Sequence, residues 1–210
     1  VSNPAFQDLL TRLRDLEEEI EEAVDQRRAK FRYHIDHKRV VFEAEMRKRH
    51  RAARIRLGAF LRRTRPLVVL TAPVIYSLII PFVLIDLFVT VYQAVCFPVY
   101  GIAKVRRRDY VVIDRHALGY LNSLQKLNCV YCGYGNGVIA YVREVAGRTE
   151  RYWCPIKHAF RVRGTHDHYP EFFDFGDADA FRTRLDEMRE KLRDAPPPLR
   201  SPTPPGRQRP

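Results

Sequence analysis

One stretch constrains this chain more than any other. Residues 67–103, LVVLTAPVIYSLIIPFVLIDLFVTVYQAVCFPVYGIA, carry a single formal charge, Asp86. About 20 apolar residues cross a bilayer as a helix, so the run is too long for one ordinary span and barely long enough for two. Basic residues crowd both ends: Arg62, Arg63 and Arg65 precede it, and Lys104, Arg106, Arg107 and Arg108 follow. Positive flanks stay in the cytoplasm, which places both ends there and makes the number of crossings even. The expectation is a membrane hairpin or re-entrant segment over 66–103, turning near Pro81 and Asp86. Proline removes a backbone donor there, and an acid prefers the polar end of a span. Pro73 and Pro98 are expected to kink the two arms. A single long tilted helix would leave one arginine cluster on the wrong side of the membrane. Asp86, Thr90 and Gln93 recur at helical spacing and share a face, suited to lining a polar path or binding an ion, or else to gluing one hairpin to another or marking the headgroup end of a short arm.

The basic balance agrees with that reading. The 210 residues carry a net charge of +12, and from Arg47 to Arg65 there is no acid at all. A soluble chain this basic would point to nucleic acid. Here the basic clusters abut the apolar run on both sides, so anionic lipid is the expected partner and nucleic acid is not. No short apolar core with a small-residue cleavage site comes before the run, so no signal peptide is expected.

The N-terminal 1–65 reads as one long charged helix. Asn3 is a capping residue and Pro4 suits the first helical position. Leu9, Leu13, Leu16, Ile20 and Ala23 then alternate in steps of four and three, the seam of a coiled coil. Phe31, Ile35 and Val41 or Phe42 extend an apolar edge, and no glycine or proline intervenes before Leu57. Such a seam needs a partner, and self-association into a homo-oligomer is the expectation. His34 and His37 would lie one turn apart on a solvated face.

Three of the four cysteines fall in two short motifs. Residues 128–137 read NCVYCGYGNG and 152–159 read YWCPIKHA. Cys129 and Cys132 form C-x2-C, and Cys154 with His158 forms C-x3-H. Three thiolates and an imidazole make a closed tetrahedral set suited to zinc, with iron as the alternative, and such a closed site is structural. His116, His166 and His168 are further candidates for a ligand. Helical periodicity surrounds the motif: Asp114 is placed to cap a helix carrying Leu118, Leu121, Leu124 and Leu127. Asp177 is placed to cap a last helix carrying Phe181, Leu185, Met188 and Leu192. Residues 104–194 thus read as a helical metal-binding domain, and 195–210 as a disordered proline-rich tail.

CVYCGY resembles the cysteine knuckle of rubredoxins and zinc ribbons, and WCP resembles the start of their second knuckle. The fourth cysteine of that pattern is replaced by His158 at a longer spacing, which favours zinc over electron transfer. Across 67–159 the phrases TAPVIYSLIIPFVLIDLFVTVYQAVCFPVYGIAKVRRRDYVVIDRH, LNCVYCGYGNG and RTERYWCPIKHA resemble a family of bacterial membrane proteins of unassigned function. That likeness implies a bacterial membrane and no reaction; with the positive flanks, the expected location is the bacterial inner membrane with both termini cytoplasmic. The expected fold class is an all-α membrane protein, and the expected function a membrane-anchored oligomeric scaffold that docks a protein partner. A metal-dependent membrane enzyme, a rubredoxin-like redox protein and a small oligomeric channel using Asp86 and Gln93 are the alternatives.

Overall fold

The computed structural model describes residues 4–29, 33–36 and 39–193. The fold is mostly helical. Helix α1 covers Pro4–Ala29, strands β1 (Tyr33–Asp36) and β2 (Arg39–Phe42) follow, and then come α2 (Ala44–Ala52) and α3 (Leu57–Arg63). The apolar run is α4 (Pro66–Ser77) and α5 (Ile79–Tyr100); α6 (Ser123–Trp153) and α7 (Ala178–Arg193) complete the domain.

The unbroken N-terminal helix is not what the chain forms. An antiparallel ladder pairing Tyr33 with Phe42 and Asp36 with Arg39 ends it. Tyr, Ile, Val and Phe crowd the span from 33 to 42, and such residues fit a pleated backbone better than a helix. His34 therefore sits opposite Val41 in the ladder, while His37 and the tail 195–210 lie outside the described residues. Along α1, Leu9, Leu13, Leu16 and Ile20 are each more than half exposed.

Nor does the apolar run turn back at Pro81 and Asp86. Leu78 links α4 to α5 in helical conformation, a break that follows from Pro81 having no N–H for the Ser77 carbonyl. The pair reads as one apolar helix, Pro66–Tyr100, of 35 residues. Its partner α6 runs alongside in the same direction. Tyr76 meets Asn128, Tyr131 meets Ile75, Tyr134 meets Asp86, Tyr141 meets Thr90 and Tyr92 meets Thr149. Sequence separations across these pairs stay between 48 and 57 along the whole interface, which no hairpin allows.

Two parallel helices need a connection as long as themselves. Gly101, in the left-handed region at φ 70, ends α5, and the Ile102 N–H bonds back to the Phe97 carbonyl. That closure, with Ile102 packed on Phe97, is the glycine C-cap geometry that reverses a chain. Residues 102–113 then descend the groove between α5 and α6. The glycines of the NCVYCGYGNG motif make room for them. A Cβ on Gly133 would lie 3.3 Å from the Val112 carbonyl oxygen; on Gly137 it would lie 2.8 Å from both the Tyr110 oxygen and the Val111 Cα. These glycines are helical, one turn apart, and serve backbone contact.

The start of α6 is also later than expected. Asp114 opens only a single 3-10 turn, Arg115–Ala117. Asn122 caps α6 instead, its side chain accepting from the Gln125 N–H while the Gln125 side chain accepts from the Asn122 N–H, a reciprocal capping box. Asp177 caps α7 as its sequence implies, accepting from the Ala180 N–H at 2.9 Å. Phe97, Ile102, Val105, Tyr141, Val145 and Leu192 form the core where α5, the return segment, α6 and α7 meet.

Replacing Gly137 by alanine should therefore lower stability by about 1–3 kcal/mol through overpacking against backbone. Gly58→Ala, with nothing within 4 Å of the new methyl, should be neutral or slightly stabilising. Thermal unfolding in detergent compares the two; equal midpoints would contradict the groove assignment.

Candidate functional site

The covered face of α4–α5 contains Tyr76, Phe82, Asp86, Gln93 and Phe97. The rest of its circumference is apolar and open: Leu67, Leu70, Val74, Ile80, Phe88, Val95 and Val99 are each between 62% and 78% exposed. No acid or base appears in this exposed arc from end to end, and the helix is long and apolar enough to cross a membrane. Monomeric soluble proteins rarely display an apolar surface of this extent.

Behind that face runs a polar seam. Asp86 accepts two hydrogen bonds from one guanidinium, Arg107 Nε at 2.8 Å and Nη2 at 2.6 Å, and a third from the Tyr134 hydroxyl at 2.9 Å. The bidentate fork fixes orientation as well as charge. Two turns on, Gln93 clamps Val105 by both backbone groups: its amide donates to the Val105 carbonyl at 3.1 Å, and its carbonyl accepts the Val105 N–H at 3.0 Å. Gln93 also donates to Tyr141, whose hydroxyl lies 3.3 Å from that of Thr90. The Asp86, Thr90 and Gln93 stripe does share one face, and it holds the return segment in place.

A second polar cluster lies toward the end of α6. Arg148, almost wholly buried, donates from Nε to Glu144 at 2.7 Å and from Nη1 to the Ala103 carbonyl at 2.7 Å. His168 stands 3.2 Å from the same Glu144 oxygen, and His166 stands 2.9 Å from Glu150. Arg151 pairs with Glu171 at 2.8 Å. Burial pushes the Glu144 carboxyl up, but the bonds from His168 and Arg148 outweigh it and hold the group at about 2, against an ordinary 4.5.

The four expected metal ligands are not brought together. Cys129 and Cys132 lie one turn apart near the start of α6, and Cys154 is the residue that ends the same helix. At 1.5 Å per residue the first and last are roughly 37 Å apart along the axis, whereas thiolates sharing a zinc ion each lie about 2.3 Å from it. His158 is exposed, and its backbone N–H donates to the Tyr169 hydroxyl. His116 is exposed in the 3-10 turn Arg115–Ala117, whereas His166 and His168, in the loop after α6, pack against Gly147. Among the described residues no group of three or more His, Cys, Asp or Glu side chains is placed to hold a metal ion. The donor set does not fit one zinc or iron within a single chain.

Sequence reasoning missed Arg107 as the partner of Asp86, and nothing in the spacing marks it. The Gly133 and Gly137 pair was visible as G-x3-G inside an uncharged run. Glu144 and Arg148 were visible as an i, i+4 pair.

No protein-family model, curated protein or solved structure matches this chain.

Two measurements test the seam and the Glu144 cluster. Gln93→Leu adds hydrophobicity yet leaves both Val105 groups unpaired, so it should cost about 1–3 kcal/mol; an unchanged denaturant midpoint would refute the clamp. Glu144 is more acidic folded than unfolded, so its contribution is complete above about pH 4.5 and drains away as pH falls toward about 2. Glu144→Gln should flatten that acid limb of the stability profile, and a limb as steep as wild type would place the loss elsewhere.

Proposed function

We propose that this chain is a membrane-anchored scaffold. The α4–α5 helix sits in lipid, α1 pairs with α1 of a second copy, and the domain built on α6 and α7 is held at the cytoplasmic surface to dock a protein partner. The observation that carries this reading is the open arc of α4–α5, apolar over 35 residues and preceded by Arg62, Arg63 and Arg65. Water cannot solvate that surface cheaply: at about 25 cal/mol for each Å² removed from water, it gains more from hydrocarbon than any other part of the molecule does. The flanking Arg62, Arg63 and Arg65, with Arg106 and Arg108, suit the anionic headgroups of a cytoplasmic leaflet.

Self-association rests on the α1 seam. In heptad terms Leu9 and Leu16 take d positions while Leu13 and Ile20 take a positions, and all four are exposed in the single chain. Leucine at d with a β-branched residue at a, as at Ile20, favours two-stranded coiled coils. One helix of this length leaves its apolar stripe in water, and a second copy removes it.

Flotation with vesicles containing anionic lipid, together with native mass in detergent, tests both parts. The wild-type chain should float and should exceed the mass of one chain. The double substitution Leu13→Asp with Ile20→Asp should float equally well but reduce the mass to a single chain. A chain that stays in the pellet fraction without detergent, away from lipid, would defeat the anchor.

A further inference from the structure

We infer that α4–α5 lies along the membrane surface, its open arc sunk into one leaflet, and does not cross the bilayer. The inference rests on the membrane reading above and deepens it.

A helix of 35 residues is roughly 52 Å long, against a hydrocarbon core of about 30 Å. If it stood across the bilayer, a slab of that thickness would have to be placed somewhere along it. The return segment and α6 lie behind the helix from Ile75 to Gly101. Around its middle, Asp86 is tied to Arg107, and the neighbours Arg106, Arg108 and Asp109 are tied to one another, with the Arg108 side chain 75% exposed. Nearer the start of α6 come Asp114, Arg115 and His116, all exposed. Nearer its end come Arg143, also exposed, and the buried set of Glu144, Arg148 and Arg151. Every slab drawn across the helix therefore takes charged groups into hydrocarbon, several of them open to the surroundings. Such groups are among the most costly to place there.

Turned by a right angle, the same molecule has no such conflict. The open arc faces acyl chains along its whole length. The return segment and α6 lie on the opposite side of the helix, toward water and headgroups. Arg62, Arg63 and Arg65 at one end, with Arg106 and Arg108 behind the middle, then meet anionic phosphates at one depth. This is the arrangement of a helix bound in the interface plane, which keeps its apolar face at the headgroup and acyl boundary. Both flanks also fall on one side without any hairpin, which satisfies the charge asymmetry that the sequence displays.

Tryptophan depth decides the matter, because the chain has one tryptophan, Trp153. In a Trp153→Phe background, Leu70→Trp, Leu84→Trp and Val99→Trp each place a reporter on the open arc near its start, middle and end. The full-length variants are bound to vesicles of zwitterionic and anionic phospholipid carrying bromine either near the carbonyl or near the methyl end of the acyl chains. Three equal quenching profiles, each stronger with the shallow bromines, are expected. Deep quenching confined to the Leu84→Trp variant, with shallow quenching in the other two, would overturn the in-plane arrangement and establish a span. Failure of all the variants and of the wild type to bind vesicles would instead remove the membrane reading itself. Phe88→Trp replaces Leu84→Trp if the latter loses its helical circular dichroism.

Discussion

The structure depends on satisfying the polar atoms that an apolar helix carries on one face. Asp86 and Gln93 cannot sit unpaired among hydrophobic neighbours, and their partners come from a segment that runs backward beside them. Arg107 supplies two donors to Asp86, and Val105 supplies both a donor and an acceptor to Gln93. Once that segment lies in the groove, α6 must approach closely enough to cover it, and only a helix with small residues at the contact can do so. Gly133 and Gly137 are those residues. The acid in the apolar run and the glycines in the cysteine motif are thus two halves of one solution.

That coupling shows what the sequence could and could not reveal. The extent of α7 and its Asp177 cap were legible, because capping and period-three-to-four burial are local signals. The common face of Asp86, Thr90 and Gln93 was legible for the same reason. The direction of α6 relative to α5 was not, since a parallel pair joined by a return segment leaves no local trace. The charge flanks that argued for a hairpin are equally consistent with that arrangement. The two strands at 33–42 were hidden by a stretch free of glycine and proline, where only the density of β-branched and aromatic residues spoke against helix.

The cysteine motif is the clearest case of one pattern with two physical readings. Small residues beside C-x2-C are what a metal knuckle needs to bend its backbone, and also what a helix needs to let another chain segment touch its axis. Spacing cannot separate the two. Distance along the helix does: Cys154 stands seven turns beyond Cys129, reckoned at 3.6 residues per turn. The glycines are accounted for by what lies on them, and the cysteines share the helix without sharing a site.

The parallel pairing of α5 with α6 also bears on how the protein is made. Every partner across that interface is about fifty residues later in the chain. At a synthesis rate of roughly 5–20 residues per second, the apolar helix leaves the ribosome several seconds before the helix that covers it. During that interval Asp86 and Gln93 can reach Arg107 and Val105 but not Tyr134 and Tyr141, and the face of α4–α5 that α6 covers is open. The nascent chain therefore passes through a state more exposed than anything in the finished fold, and the speed at which 101–153 follows governs how long it lasts.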